Sequence, residues 1–131
     1  MSEWSVYVLR STVANRTYVG YTRTGKILSR LAQHNGLKAG GAKATRSGRP
    51  HEIVASVDGL EKRPAMQLEW RMHRRYSGPK GIQGRLGQLC KALSMERWTS
   101  TAPPTDSLTE LRVSWHSSSL EEPSELKKWI K

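Results

Sequence analysis

Two short apolar runs, each containing tyrosine, constrain the fold of this chain more than any other feature. The first is Val6-Tyr7-Val8-Leu9 and the second is Tyr18-Val19-Gly20-Tyr21, with the polar residues 11–16 between them. Alternating β-branched and aromatic residues on both sides of a turn-rich connection are typical of a β-hairpin. We therefore predict strands over residues 4–10 and 17–22.

The spacing of apolar residues changes directly after this hairpin. Ile27, Leu28 and Leu31 follow a helical period, and Arg30 and His34 lie four positions apart. Residues at that spacing share one helix face. The pattern predicts a helix that starts at residue 24 or 25 and ends at residue 34. Tyr7, Tyr18, Arg30 and His34 are the candidate functional side chains of this hairpin and helix.

Positive charge is concentrated in the first two thirds of the chain. The formal net charge is +11, with +12 over residues 1–91 and −1 over residues 92–131. Such a basic excess favours a polyanion, because each Lys or Arg on a phosphate releases counterions. We predict a nucleic-acid partner, and the alternative is a generic solubility charge. An anionic membrane is disfavoured, since no basic amphipathic helix with a wide apolar face is evident.

Residues 35–50 are rich in glycine and positive charge and poor in core-forming residues. Long loops inside small domains are often functional. We predict a loop that becomes ordered on binding a phosphate backbone, with a plain surface insertion as the alternative. Its candidate contacts are Lys38, Lys43, Arg46 and Arg49.

The remaining elements complete a small α/β (α+β) domain. We predict a strand over 51–57, a turn at Asp58-Gly59, helices over 62–76 and 82–93, a late strand within 108–115 and a short terminal helix over 123–130. The expected core stripe of the second helix is Ala65, Leu68, Met72 and Tyr76. A short mixed or antiparallel sheet flanked by helices would form a core over residues 1–80, with residues 81–131 packing on it as an extension.

Targeting and cysteine signals point to an intracellular protein. No apolar run is long enough to cross a bilayer, and the N-terminus lacks the pattern of a secretory signal. Cys90 is the single cysteine, so neither an internal disulfide nor a cysteine-based zinc site can form. We expect Cys90 to be a packing residue and the protein to reside in the nucleus or cytoplasm.

Glu69 is the most informative acidic residue, because it falls within the apolar stripe of the second predicted helix. A carboxylate there is costly unless it is paired or binds a cation. The alternatives are an ion pair with Arg71, Arg74 or Arg75, and a metal site. His73 follows one turn later and is a candidate neighbour of that site. Trp70 is expected to pack the helix against the sheet, and His51 to be an ordinary strand-end residue.

The motifs together resemble the GIY-YIG nuclease family. Its two signatures correspond here to Ser5-Val6-Tyr7, with Ser for Gly and Val for Ile, and to Tyr18-Val19-Gly20. The step of eleven residues between the tyrosines, the downstream Arg30 and the pair His34-Asn35 agree with the family. The resemblance implies that the catalytic residues are Tyr7, Tyr18, Arg30, His34 and Glu69.

Further matches are to the Slx-type structure-selective endonucleases of that family. His34-Asn35-Gly36, Gly40-Gly41-Ala42, Thr45 and Leu68-Glu69-Trp70 are similar to segments of those catalytic subunits, and the resemblance extends over residues 6–115. It implies that Glu69 alone holds one divalent cation, Mg²⁺ or Mn²⁺. The implied substrate is branched DNA (flaps, forks and Holliday junctions) in repair and recombination.

Each implied catalytic residue has a chemical part to perform in phosphodiester hydrolysis. A cation on Glu69 would stabilise the leaving oxygen, and Arg30 would bind the non-bridging phosphate oxygens. We favour Tyr18 as the base and Tyr7 as the residue that positions water or phosphate. A phenol with a pKa of about 10 would need Arg30 or the metal to lower it. His34 would contact the phosphate or assist the water.

The basic residues expected to contact DNA lie on the first helix, the loop and the second helix. They are Arg23, Lys26, Lys38, Lys43, Arg46, Arg49, Arg71, Arg74 and Arg75.

The chain departs from the Slx subunits in one respect. Those proteins carry a Cys/His-rich zinc domain that binds a scaffold partner, and a single cysteine excludes it here. The chain is then either a minimal stand-alone version, viral or microbial in source, or a piece of a longer protein. Neither a scaffold partner nor a homodimer has sequence support.

Three rival functions remain open. They are a non-catalytic binder of branched DNA on the same scaffold, an interaction protein that docks through residues 117–131, and a repair nuclease of the UvrC type.

Overall fold

The computed structural model describes residues 2–74 and 78–130. Within these residues, four strands and three α-helices form the domain. They are β1 (Trp4–Ser11), β2 (Thr17–Arg23), α1 (Ile27–His34), β3 (His51–Leu60), α2 (Lys62–Met72), α3 (Gly81–Leu93) and β4 (Arg112–Trp115). A short 3₁₀ turn, Thr24–Lys26, leads into α1, and the predicted short terminal helix is the 3₁₀-helix Ser124–Trp129. Among the described residues, no helix has the length and apolar character needed to cross a membrane.

The strands form one antiparallel sheet in the order β2-β1-β3-β4. The predicted hairpin is confirmed, and the antiparallel alternative for the sheet is the one observed. Tyr7 pairs with Gly20, and Leu9 pairs with Tyr18. Because cross-strand partners share a face, this register places the two signature tyrosines on the same face of the sheet.

Alternation along β1 divides the interior into two parts. Val6 and Val8 belong to the main core, which α2 and α3 cover from one side. Tyr7 and Leu9 point to the other face, where they pack with Ile27 and Ile53. Side chains of a strand alternate with a period of two, so one strand supplies both the core and the site.

The C-terminal residues belong to the main core. Trp98 and Leu126 are fully buried there, beside Leu89 of α3 and Val113 of β4. The Trp98 indole Nε1 also donates a hydrogen bond to the Ala92 carbonyl at 2.9 Å. The sheet is therefore stabilised by residues far beyond the hairpin, although the division at residue 80 stays a prediction.

The prediction of a turn at Asp58-Gly59 is wrong, because β3 continues to Leu60. The buried Asp58 carboxylate accepts hydrogen bonds from the Ser5 hydroxyl at 2.6 Å and from the Ser114 hydroxyl. Gly59 has φ +75°, and a Cβ there would lie 2.0 Å from the Glu110 carbonyl oxygen. Two residues that are common in turns thus become strand residues. Distant segments satisfy the Asp58 carboxylate and require the small size of Gly59.

Helix α2 ends at Met72, four residues earlier than predicted. The Arg85 guanidinium donates to the Met72 carbonyl at 2.8 Å, and the Gln88 amide donates to the Arg74 carbonyl at 3.1 Å. Side chains of α3 thereby satisfy carbonyl groups at the helix end. The predicted core residue Tyr76 lies outside the described residues.

Trp70 is not packed against the sheet as expected. Its side chain is 43% exposed, whereas Ala65, Leu68 and Met72 are buried. Successive helical residues are turned by about 100°, so a residue two positions after Leu68 faces away from the core.

Candidate active site

The two tyrosines and the histidine predicted from sequence meet on the face opposite the main core. The Tyr7 hydroxyl lies 2.8 Å from His34 Nε2. The ring centroids of Tyr18 and His34 are 4.9 Å apart, and those of Tyr7 and Tyr18 are 6.5 Å apart. The hairpin and α1 therefore assemble these three rings into one cluster.

Gly20 makes room for Tyr7. A Cβ at Gly20 would lie 2.5 Å from the Tyr7 hydroxyl oxygen and 2.7 Å from the ring carbon that bears it. The glycine sits directly opposite Tyr7 in the hairpin. The glycine of the second signature is thus required by the buried tyrosine of the first.

A directed chain of hydrogen bonds leads inward from Tyr7. The Thr45 hydroxyl donates to the Ala42 carbonyl at 2.7 Å, so its oxygen accepts from His34 Nδ1 at 3.0 Å. A neutral His34 with its proton on Nδ1 accepts at Nε2, and the Tyr7 hydroxyl must then donate to it. Sequence reasoning noted Thr45 only as part of a motif and missed this contact.

His34 is neutral at physiological pH. Burial lowers the pKa of its imidazole to about 4, and the positive charges of Arg30, His51 and Arg49 act in the same direction. The side chain is fully buried and has both ring nitrogens bonded. Its Nε2 therefore accepts a hydrogen bond from the Tyr7 hydroxyl, while burial disfavours protonation of the ring.

Both tyrosines keep their protons in this environment. Burial raises the pKa of Tyr7, and burial together with the Glu69 charge raises the pKa of Tyr18. The Arg30 guanidinium opposes both increases without cancelling them. Arg30 therefore acts in the predicted direction, but burial outweighs it, so proton loss from Tyr7 or Tyr18 needs a further acceptor or charge.

Arg30 is half-buried beside the tyrosines. Its Nη1 donates to the Gln33 side-chain oxygen and to the Gly40 carbonyl at 3.2 Å. Gln33 lies three positions further along α1 and was missed, although that spacing permits side-chain contact on a helix. The guanidinium is thereby oriented between α1 and the loop, and its charge acts on both tyrosines and His34.

Glu69 approaches the same cluster from α2. Its Oε2 lies 3.2 Å from His73 Nε2, which is 2.9 Å from the Val19 carbonyl oxygen. A carbonyl only accepts, so His73 Nε2 carries a hydrogen and cannot ligate a metal through that atom. The Val19 carbonyl lies on the unpaired side of edge strand β2. His73 bonds to it and also positions the Glu69 carboxylate.

The predicted alternative partners of Glu69 have other contacts. Arg71 Nε donates to the Trp98 carbonyl at 2.8 Å, and the guanidinium groups of Arg71 and Arg74 lie over the Trp70 ring. Arg75 lies outside the described residues, as a candidate partner of Glu69 and as a candidate DNA contact.

The donor set fits a single hydrated divalent cation. In the described part of the chain, no group of three or more His, Cys, Asp or Glu side chains gathers as a protein cage for a metal. Mg²⁺ commonly keeps several waters and binds through one or two carboxylates. The Glu69 side chain is 25% exposed, which leaves its carboxylate accessible to water, and it lies close enough to the tyrosines to act on their pKa.

The basic loop between α1 and β3 is folded by contacts within the chain. Arg49 Nε donates to the His34 carbonyl at 2.8 Å, and the Asn35 side chain exchanges hydrogen bonds of 2.6 and 2.9 Å with the His51 backbone. His51, predicted to be an ordinary strand-end residue, is buried, and its Nε2 donates to the Thr45 carbonyl at 2.8 Å. Contacts within the chain thus hold parts of the loop, and its ordering on binding to a phosphate backbone stays a prediction.

The basic residues differ in how they are held. Lys26, Lys43 and Arg46 are exposed, and Lys38 donates to the Ser29 hydroxyl at 3.3 Å. Arg23 pairs with Glu3 at 3.5 Å and lies over the Trp4 ring. Arg49, in contrast, is tied to the end of α1.

The fold and the site define a class of protein. It is a small antiparallel α/β domain whose hairpin and helix assemble a tyrosine–histidine–arginine cluster beside one carboxylate. The family model for the GIY-YIG catalytic domain matches residues 3–93. The chain therefore belongs to the GIY-YIG nuclease family, as its two signatures predicted.

The chain is also similar to three fungal proteins named "Structure-specific endonuclease subunit SLX1". The Aspergillus terreus protein is 50% identical over 68 residues, which cover 49% of this chain and 17% of that protein. The Ajellomyces capsulatus protein is 48% identical over 68 residues (49% and 16%), and the Chaetomium globosum protein is 42% identical over 74 residues (53% and 22%). The chain thus spans less than a quarter of the length of these relatives.

Proposed function

We propose that this domain is a metal-dependent, structure-selective DNA endonuclease that hydrolyses phosphodiester bonds at branched DNA. The substrates that this function implies are flaps, forks and Holliday junctions, in DNA repair and recombination. We expect the protein to act in the nucleus or cytoplasm. The observation that carries the proposal is the convergence of the buried Tyr7–His34–Thr45 hydrogen-bond chain with the partly exposed Arg30 and Glu69 in one cluster. The names of the fungal relatives support the preference for branched DNA.

Tyr7, rather than Tyr18, is the better candidate to accept the proton of the attacking water. Its own hydrogen already points to His34 Nε2, so its oxygen can accept a proton from water while its hydrogen passes to His34. A phosphate bound nearby would raise the pKa of His34 and favour this transfer. Tyr18 then has the positioning role, which reverses the assignment made from sequence.

Arg30 would contact the phosphate directly, whereas Glu69 would act through a divalent cation. The planar guanidinium of Arg30, held by Gln33 and the Gly40 carbonyl, can donate to the non-bridging oxygens. A divalent cation, Mg²⁺ or Mn²⁺, supplies Lewis-acid stabilisation of the leaving oxygen. Glu69 is the residue that would hold it, with His73 orienting the carboxylate.

The test is cleavage of labelled flap, Holliday-junction and plain duplex DNA in Mg²⁺, Mn²⁺ or EDTA. Wild type is compared with Glu69→Gln and with Glu96→Gln, which removes the same charge at an exposed acid outside the cluster. We expect metal-dependent cleavage near the branch that Glu69→Gln reduces by at least about 100-fold. DNA binding by Glu69→Gln should stay close to that of wild type, and Glu96→Gln should cut normally.

Two results would contradict the proposal. Tight binding to branched DNA without cleavage in any metal would favour the non-catalytic binder, or a nuclease that needs a partner subunit. Loss of both binding and cleavage in Glu69→Gln would assign Glu69 a structural part instead.

A further inference from the structure

A groove outside the catalytic cluster lies between the outer face of α2 and residues 99–101. Its volume is about 470 Å³, within the range usual for small-ligand sites. Met66 and Trp70 form an apolar wall, with exposed fractions of 42% and 43%. Such an exposed indole beside a cavity is suited to stacking on a flat ring.

The floor of the groove holds a polar group without a partner in the described chain. Gln67 is 9% exposed, and its Oε1 is buried with no hydrogen bond. Its Nε2 has only a long contact of 3.5 Å with the Thr101 hydroxyl. Buried acceptors are nearly always satisfied in folded proteins, so this oxygen is a candidate acceptor for an N–H group of a ligand.

The charge around the groove is positive. Arg63 and Arg71 line it, and among the described residues no Asp or Glu lines it. The Arg74 guanidinium lies 4.3 Å from the Trp70 ring centroid, and that of Arg71 lies 5.2 Å away. The ligand that fits is flat, bears an N–H donor and is anionic at one end.

We propose that this groove binds one unpaired nucleotide of the branched DNA. The base would stack on Trp70, an N–H of the base would donate to Gln67 Oε1, and the attached phosphate would contact Arg63 or Arg71. This inference rests on the proposed function and supplies its selectivity, because a base paired within a duplex cannot enter the groove.

The position of the groove agrees with this assignment. Trp70 follows Glu69 directly in the sequence, and the two side chains are separated by about 100° around α2. A strand whose phosphate reaches the Glu69 side of the helix therefore passes close to the groove. An unpaired base next to a branch is the part of the substrate that can occupy it.

Binding to fluorescent DNA in EDTA tests the groove without cleavage. The DNAs are a flap with an ordinary base next to the branch, the same flap with an abasic site there, and a plain duplex. The variants are Trp70→Ala, Trp70→Phe, which keeps a stacking ring, and Gln67→Met, which keeps the shape and removes the acceptor. Val13→Ala is the control at another exposed apolar residue, and thermal unfolding checks that each variant is folded.

We expect Trp70→Ala to weaken binding to the ordinary flap by about 5-fold to 100-fold, the usual worth of one stacked base. Gln67→Met should weaken it less, while Trp70→Phe and Val13→Ala should stay near wild type. For wild type, the abasic site should cause a loss similar to that of Trp70→Ala. Trp70→Ala measured on the abasic flap should lose no more affinity than either change causes alone. Binding of the variants to plain duplex DNA should match that of wild type.

Two results would overturn the inference and leave the proposed function standing. One is unchanged flap binding by Trp70→Ala, which would make the groove a surface for another partner, such as a peptide. The other is an equal loss on flap, abasic and duplex DNA, which would indicate a general phosphate contact. Failure of wild type to bind or cut any branched DNA would instead remove the proposed function itself.

Discussion

Three other residues define the surroundings of Tyr7. Gly20 leaves space for the ring, His34 accepts the hydrogen of its hydroxyl, and Thr45 fixes the tautomer that makes this possible. The nearby Arg30 charge alone does not make the phenol acidic, because burial dominates its pKa. The directed chain of hydrogen bonds is therefore what distinguishes Tyr7 from an ordinary buried tyrosine.

The depressed pKa of His34 predicts that stability depends on pH. The pKa is about 4 in the folded protein and about 6.5 in an unfolded chain, so the unfolded chain binds more protons between these values. This contribution to stability is present above pH 6.5 and is lost as the pH falls towards 4. We expect His34 to account for a loss of about 2 kcal/mol in the free energy of unfolding between pH 7 and pH 5.

Urea unfolding at these two pH values measures that contribution. His34→Gln removes the titrating group, so its stability should fall by about 2 kcal/mol less than that of wild type over the same interval. His116→Gln, at an exposed histidine, is the control and should behave as wild type does. Equal pH dependence in wild type and His34→Gln would contradict the assignment.

At the scale of elements, the loop over residues 35–50 combines two tasks. Asn35, Thr45 and Arg49 hold it against α1 and β3, whereas Lys43 and Arg46 are exposed and Lys38 bonds to Ser29. Holding the loop in place reduces the conformational entropy that its basic residues would lose on binding DNA.

Neutralising Lys38, Lys43 and Arg46 together as glutamines should weaken DNA binding and its salt dependence. Three lost phosphate contacts should reduce the slope of log affinity against log salt by about 2 to 3. Arg49 is left unchanged because it bonds to the His34 carbonyl. The experiment measures binding to duplex and flap DNA over a series of salt concentrations.

A matched control removes the same charge elsewhere. Lys91, Lys127 and Lys128 are exposed and outside the loop, and their glutamine variants should leave the slope nearly unchanged. Equal slopes for wild type and the loop variant would make the loop a surface insertion with no contact to phosphate.

At the scale of the whole molecule, the two faces of the sheet depend on one another. Residues 94–130 lie beyond the segment that the family model matches, yet Trp98 and Leu126 are fully buried in the main core. That core packs against β1, whose opposite face carries Tyr7. The site therefore depends on residues that take no part in its chemistry.

Trp98→Ala should lower the free energy of unfolding by about 3 to 5 kcal/mol, because it empties a large buried volume. It also removes the hydrogen bond from the indole to the Ala92 carbonyl. Denaturant unfolding measures the loss, with Trp70→Ala as a control at an exposed tryptophan that should cost less than about 1 kcal/mol. A loss of less than about 1 kcal/mol for Trp98→Ala would show that the C-terminal residues are dispensable to the fold.

Local patterns predicted much of this molecule correctly. The hairpin, the helix with Arg30 and His34, and the buried stripe Ala65-Leu68-Met72 depend on neighbours in the sequence. Two of the errors occurred where a distant segment decided the outcome. Asp58 became a strand residue through Ser5 and Ser114, and α2 ended at Met72 where side chains of α3 satisfy carbonyl groups.

The sequence by itself predicted most of the elements, the family and, through the resemblance to that family, the five candidate catalytic residues. Periodicity and short motifs encode these directly, since they depend on the order of residue types. Only the tertiary structure decided which nitrogen of His34 carries the proton, that His73 positions Glu69, and that Trp70 faces a groove with the unpartnered Gln67 oxygen. Hydrogen-bond direction, burial and exposure depend on groups far apart in the chain, which no local pattern records.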